Sequence, residues 1–183
     1  DRYGGVWKDA LQSNPPDLNP AQATDTTSSE MMFQMFETLV ENDPKGNLVG
    51  LLAESWEGNE DATKFTFKLR KGVYFHSTTE NGQPTANGGR EVTAEDWVWT
   101  FNYICSPDTN SPRAYFVDML KGYDEYREGK TDHLAGVKAL DKYTLQFELS
   151  GPFAPFVNVL AYNTFVVMPK EDVQKWGEDW NFH

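Results

Sequence analysis

Seven consecutive residues, Lys64-Phe65-Thr66-Phe67-Lys68-Leu69-Arg70, alternate polar and apolar without a break. In an extended chain successive side chains point to opposite faces, so Phe65, Phe67 and Leu69 share one face and Thr66, Lys68 and Arg70 the other. A helix would scatter both sets around its circumference. The segment predicts a half-buried antiparallel strand, and the fold must supply that strand with both a pairing partner and a core.

The same alternation returns in Tyr143-Thr144-Leu145-Gln146-Phe147-Glu148-Leu149 and, less completely, in Val137-Lys138-Ala139-Leu140. These two pieces predict a β-hairpin around Asp141-Lys142. Leu39-Val40 and Leu48-Val49 flank the turn Asn42-Asp43-Pro44-Lys45-Gly46 and predict a short extended pair. Thr164-Phe165-Val166-Val167-Met168, stopped by Pro169, has the apolar continuity of a buried strand, and Gly4 to Leu11 reads as an opening strand.

Helix signals interleave with these. Thr27 and Glu30 have capping-box spacing ahead of Met31, Met32, Met35, Phe36 and Leu39, which fall on one helical face. Thr93 and Asp96 have the same spacing ahead of Trp97, Val98, Phe101, Ile104 and Cys105. Further helices are expected from Ala114 through Tyr126, from Phe153 to Leu160 with Pro155 in the first turn, and around Val173 to Trp176. Residues 77–91 show no period and read as a long polar, glycine-rich loop. Strands and helices mix without a regular βαβ order, so the expected class is α+β: mixed, mainly antiparallel sheets with packed helices.

Sixteen basic against 28 acidic side chains give a formal net charge of −12. Such a surface repels phosphate backbones and anionic headgroups, which argues against nucleic acid as a partner. No apolar run approaches a membrane span, so no direct membrane insertion by this chain is expected. Cys105 has no second cysteine for a disulfide or a zinc pair, and it reads as a buried small hydrophobe.

Three histidines, His76, His133 and His183, lie far apart. No nucleophile elbow, phosphate loop, dinucleotide fingerprint or His-Glu-x-x-His occurs. The expectation is no catalytic residue, no metal site and no cofactor. Glu95-Asp96 is read as helix-start charge rather than as an acid–base pair.

Read in order, a set of segments resembles the family-5 extracellular solute-binding proteins, which include the oligopeptide, dipeptide and nickel-chelate receptors of ABC importers. They are Gly4-Gly5-Val6-Trp7, Pro16-Asp17-Leu18-Asn19-Pro20, Met35-Phe36-Glu37-Thr38-Leu39-Val40 and Leu52-Ala53-Glu54-Ser55-Trp56-Glu57. Phe65 through His76, Val92-Thr93-Ala94-Glu95-Asp96-Trp97-Val98, Gly136 through Asp141 and Tyr143 through Leu149 follow, with Ala154-Pro155-Phe156 last.

The resemblance implies part of the first lobe of a two-lobed periplasmic-binding-protein-like fold that closes on its ligand by a hinge. It implies a division into a first-lobe piece over 1–37, a family-specific α+β subdomain over 38–161 and a return into the first lobe over 162–183. The polypeptide is then expected to continue into a glycine-rich strand and a second lobe, with any export leader removed. The implied function is a non-enzymatic, extracytoplasmic receptor, in a periplasm or as a cell-surface lipoprotein. It would pass a small-molecule or peptide ligand to an ABC transporter permease.

The same resemblance places Thr24, Asp25 and Thr26 near the solute, although these residues equally suit the start of the following helix. After Ser111-Pro112 the family can carry a ligand-proximal tyrosine. Here Arg113 stands in its place, with Tyr115 two positions on. Arg113 is either a partner for a ligand carboxylate or a solvated arginine at a helix start. A hydrolase acting on a peptide or sugar in a similar cleft, and a plain interaction module, are the alternatives from other classes.

Overall fold

The computed structural model describes residues 8, 10–79 and 81–182. Its centre is a four-stranded antiparallel sheet, in the order β3 (Ala53–Gly58), β4 (Lys64–Leu69), β6 (Thr144–Glu148), β5 (Val137–Asp141). The alternating segment is the inner strand β4, and its register with β6 sets Phe65 against Phe147 and Phe67 against Leu145. Phe65, Phe67 and Leu69 are buried as the alternation requires.

Helix α2 (Ala94–Cys105) packs across the β5–β6 side of this sheet. The Asp96 carboxylate accepts the Thr93 N–H at 2.8 Å and fixes the start of the helix. Trp97, Phe101, Ile104 and Cys105 then point inward and are fully buried. Phe147 lies at the centre, 4.9 Å from the Phe101 ring, 5.6 Å from Phe67 and 5.2 Å from Phe156, all inclined edge to face. Burying each such ring stabilises the fold by roughly 1.5–3 kcal/mol, with up to about 1 more for a well-set aromatic pair. Helix α4 (Phe156–Val159), preceded by Pro155, delivers Phe156 to the cluster.

The outer pair β1 (Val40–Asn42) and β2 (Leu48–Gly50) forms as expected, joined by a turn in which the Asp43 carboxylate accepts the Lys45 and Asn47 N–H groups. The hairpin forms too, with a shift: a bulge between Ala139 and Asp141 pairs Asp141 with Thr144, so Lys142-Tyr143 is the link rather than Asp141-Lys142.

Four expectations need correction. Helix α1 (Thr26–Met35) is capped by Asp25, whose carboxylate accepts the Ser28 N–H at 2.8 Å, and not by a Thr27–Glu30 box. The helix stops before Phe36, so the supposed single apolar face is split: Met32 and Leu39 are fully buried, while Met35 is exposed.

The long helix from Ala114 to Tyr126 is instead a 3-10 turn, Ala114–Val117, and a short α3 (Tyr123–Arg127). Between them the backbone of Met119 and Lys121 bonds to Ser150 and Glu148, and Gly122 takes φ +79°. Tertiary pairing along the sheet takes the backbone groups that a helix would have used.

The segment Thr164–Met168 is buried but has, among the described residues, no strand partner beyond one bridge between Val166 and Thr38, and it begins in a 3-10 turn, Asn163–Phe165. The loop 77–91 is not formless. Thr78 and Pro84 bridge around a turn at Asn81-Gly82, and Tyr74 bridges Glu91. Helix α5 (Lys170–Trp176) follows Pro169. The expected strand from Gly4 to Leu11 lies largely outside the described residues.

Candidate functional site

Of the five residues singled out from the sequence, Thr24, Asp25 and Thr26 are consecutive, Arg113 bonds to Thr24, and Tyr115 packs beside Phe116, the ring under Arg113. The approach begins at Asn19, whose side chain accepts the Ala21 N–H at 3.1 Å and whose carbonyl accepts Gln22 and Ala23 N–H at 2.9 Å each. This turn brings the chain through Ala23 and Thr24 to Asp25, the cap of α1. Asp25 is held below the usual carboxylate range, first by hydrogen bonds from Ser28 and then by weaker backbone donors. Its charge is thereby committed to the helix start. The N–H groups of Thr24 and Thr26 have no hydrogen-bond partner among the described residues.

The facing wall is the segment from Ser106 to Phe116. Gln22 Nε2 donates to the Thr109 carbonyl at 2.7 Å. Arg113 Nε donates to the Ala23 carbonyl at 3.3 Å, and Nη2 donates to Thr24 at 2.6 Å. Its guanidinium carbon lies 5.6 Å from the centre of the Phe116 ring. Arg113 is therefore neither a free solvated cation nor the start of a long helix.

Phe116 is the middle of three rings. Tyr115 lies 4.5 Å from it and Tyr162 lies 5.3 Å from it, centre to centre. Tyr115 is 59% exposed and Tyr162 is 50% exposed, so both present a ring and a hydroxyl to solvent. Asn163 Nδ2 donates to Ser29 Oγ at 2.9 Å and ties this aromatic ledge to α1.

Phe116, Tyr162 and Gln22 were not singled out from the sequence. Tyr162 lies 47 positions from Tyr115 in the chain, and no local pattern links them. Arg113 and Tyr115 drew attention only through their place after Ser111-Pro112.

Chemically the face offers exposed threonine hydroxyls, unpaired backbone donors and aromatic rings. It has no histidine or cysteine. Cys105 is fully buried, and burial pushes its thiol up to about 12, which makes it a poor nucleophile. No group of three His, Cys, Asp or Glu side chains among the described residues is placed to hold a metal ion.

Two larger hollows lie elsewhere. One, of about 980 Å³, runs between the end of α1, residues 73–79 and residues 169–181, with Trp180 in its lining. The other, of about 840 Å³, follows the outer side of α2 beside Trp99 and Tyr103. None of the five expected residues lines either hollow. Size alone does not place a binding site.

Comparison with known proteins bears on the family of the chain. Residues 47–182 match the family described as "Bacterial extracellular solute-binding proteins, family 5 Middle". The chain is 34% identical over 168 residues to the periplasmic oligopeptide-binding protein OppA of Escherichia coli K12, covering 89% of this chain and 28% of that protein. It is 30% identical over 179 residues to the probable deoxycholate-binding periplasmic protein YgiS of the same organism, covering 96% of this chain and 31% of that one. Among solved structures, the substrate-binding domain of an oligopeptide ABC transporter from Bacillus anthracis str. Ames superposes with a TM-score of 0.81 at 26% identity, over 93% of this chain and 31% of that chain. The chain thus spans less than a third of the length of these relatives.

Proposed function

The chain belongs to the family-5 bacterial extracellular solute-binding proteins, and on that premise we propose that it forms part of an extracytoplasmic receptor that binds a small solute, a peptide, for an ABC import permease. The divisions at 38 and 161 belong to the same proposal. The observation that carries it is the pairing of an exposed backbone segment, Thr24 to Thr26, with the ledge of Tyr115, Phe116 and Tyr162.

An extended peptide presents regularly spaced amides and side chains of varied chemistry. Backbone donors and threonine hydroxyls at Thr24 to Thr26 suit the amides, as in the addition of a strand. The rings of Tyr115 and Tyr162 offer flat apolar contact with a polar tip, which accepts many side chains at low entropic cost. The Asp25 carboxylate at this face is engaged as the cap of α1, and the proposed role is to bind the solute and release it unchanged. No observation favours the hydrolase reading.

The test is calorimetric titration of the full-length polypeptide with a mixture of short peptides and, separately, with deoxycholate, followed by mass spectrometry of the recovered ligand. Intact peptide recovered from a saturable complex is the expected result, and Tyr162→Ala is expected to weaken binding by about tenfold. Binding of deoxycholate but not of peptides would overturn the ligand class. Recovery of cleaved peptide would overturn the receptor role.

A further inference from the structure

We propose that Arg113 is a positioning residue, whose guanidinium sets the Thr24–Thr26 segment in place and does not itself pair with the solute. The inference rests on the reading that this segment faces the solute. The two donors that bond the backbone, Nε and Nη2, form the side-on edge of the guanidinium, the edge that grips a carboxylate in a two-bonded pair. Here that edge is occupied by the carbonyls of Ala23 and Thr24. One face of the group is covered as well, by the Phe116 ring at 5.6 Å. A solute carboxylate is left with the end-on edge, one N–H from each of Nη1 and Nη2, and could take the side-on pair only by displacing the two carbonyls.

The two carbonyls lie at the joint where positioning matters. Before them, the Asn19 turn fixes Gln22 and Ala23 through N–H bonds of 2.9 Å. After them, Asp25 caps α1 through the Ser28 N–H at 2.8 Å. Between these two local devices the carbonyls of Ala23 and Thr24 accept no backbone N–H among the described residues, and the bonds from Arg113 are their connection to the opposite wall. Gln22 reinforces the same junction by donating to Thr109 at 2.7 Å. Removing the guanidinium leaves two carbonyls that water can satisfy, so the fold survives while the segment loses its fixed orientation.

The experiment uses the full-length polypeptide as wild type, Arg113→Met, which keeps packing against Phe116, and Arg113→Lys, which keeps the charge but not the fork. Each is titrated with one peptide as the free acid and as its C-terminal amide. Amide exchange is followed without ligand at Ala23, Ser28 and Ser29 and at Phe67 and Phe147 in the sheet.

A positioning role predicts affinity lost by about threefold to tenfold for acid and amide alike, with no rescue by lysine. It also predicts faster exchange at Ala23, Ser28 and Ser29 with the sheet unchanged. A loss confined to the free acid, or unchanged exchange at those three amides, would overturn the proposal. Faster exchange there in the variants, with a wild type that binds no peptide, would overturn the proposed function and leave the clamp standing.

Discussion

Two irregular segments of this chain are each held by side chains from a distant part of the sequence, and they are held in opposite ways. The loop 77–91 is gripped by acids. The Asp172 carboxylate, 3% exposed, accepts the N–H groups of Ala86 and Asn87 at 2.7 and 3.2 Å and the Asn87 side-chain amide at 2.6 Å. Arg90 then joins Asp96 of α2 to Glu171 of α5, at 2.5 and 2.7 Å.

The segment from Ala23 to Thr26 is gripped by a cation, the half-buried Arg113, acting on neutral carbonyls. An acceptor removed from a buried site leaves donors that nothing replaces, whereas removing the half-buried Arg113 side chain opens the carbonyls it held to water. The first arrangement therefore serves stability, and the second serves the presentation of a surface.

The largest expected effect breaks this contrast if it fails. Asp172→Ala strands three donors in a buried site and is expected to lower unfolding stability by roughly 3 kcal/mol. Arg113→Ala is expected to cost less than about 1 kcal/mol on the same scale. Urea unfolding followed by tryptophan fluorescence measures both. A cost for Asp172→Ala no greater than that for Arg113→Ala would end the distinction. Asp172→Asn retains one acceptor oxygen and should fall between.

A smaller effect sharpens the contrast within the loop itself. Gly89 takes φ +71°, and a Cβ placed there would meet the Ser77 Cβ at 2.5 Å and its Cα at 3.1 Å. Gly82, at the loop tip, takes φ +73° but has open space around it. Gly82→Ala therefore pays only for the left-handed backbone, about 1 kcal/mol, and Gly89→Ala adds the collision, for a total of about 2. Equal melting temperatures for the two variants would show that the base of the loop is no more tightly held than its tip.

What was legible in the sequence follows from the range of the signals. Alternation in Lys64 to Arg70 and the cap at Thr93 are local, and both appear as read. The Ala114-to-Tyr126 helix failed because Met119 and Lys121 bond to residues about 30 positions away, which no window over that segment contains. The strand at Thr164 failed for the converse reason: its apolar run reported burial correctly, but a ladder needs a neighbour, and among the described residues Thr38 alone bridges to it.

The candidate site was legible in part. Thr24, Asp25, Thr26, Arg113 and Tyr115 were named through family resemblance, and the folded chain links Arg113 to Thr24 and Tyr115 to Phe116. Tyr162 and Phe116 complete the ledge through contacts that only the folded chain creates. The role of Asp25 as the cap was hidden by a competing Thr27–Glu30 pattern of equal local merit.

The smallest expected effect concerns the exposed end of the acid-held loop. Glu91 accepts Lys142 Nζ at 2.7 Å and the Tyr143 hydroxyl at 2.9 Å on one oxygen, and the Gly72 N–H at 2.8 Å on the other. These bonds, that from Lys142 foremost, hold its carboxyl down at about 2, against 4.5 for the free group. A folded value below the unfolded one means the ionised carboxylate favours the folded state. That contribution is complete above the unfolded value and is lost as pH falls from 4.5 toward about 2.

Glu171 and Glu148 are also held low, by Arg90 and by Lys121 respectively, so the wild type loses stability across the same acid range from several groups. Glu91→Gln removes one of them, and its unfolding midpoint should fall less steeply with acid than that of the wild type below the free-group value. Because the pair lies at the surface, moderate salt should shrink the difference between the two curves, whereas it should leave the Asp172→Ala deficit intact, since that carboxylate binds neutral donors in a buried site. Parallel acid profiles for Glu91→Gln and wild type at low salt would mean that Glu91 gains nothing from its three partners. A salt-sensitive Asp172 deficit would place both carboxylates in one class, and the loop would then be held by surface charge along its whole length.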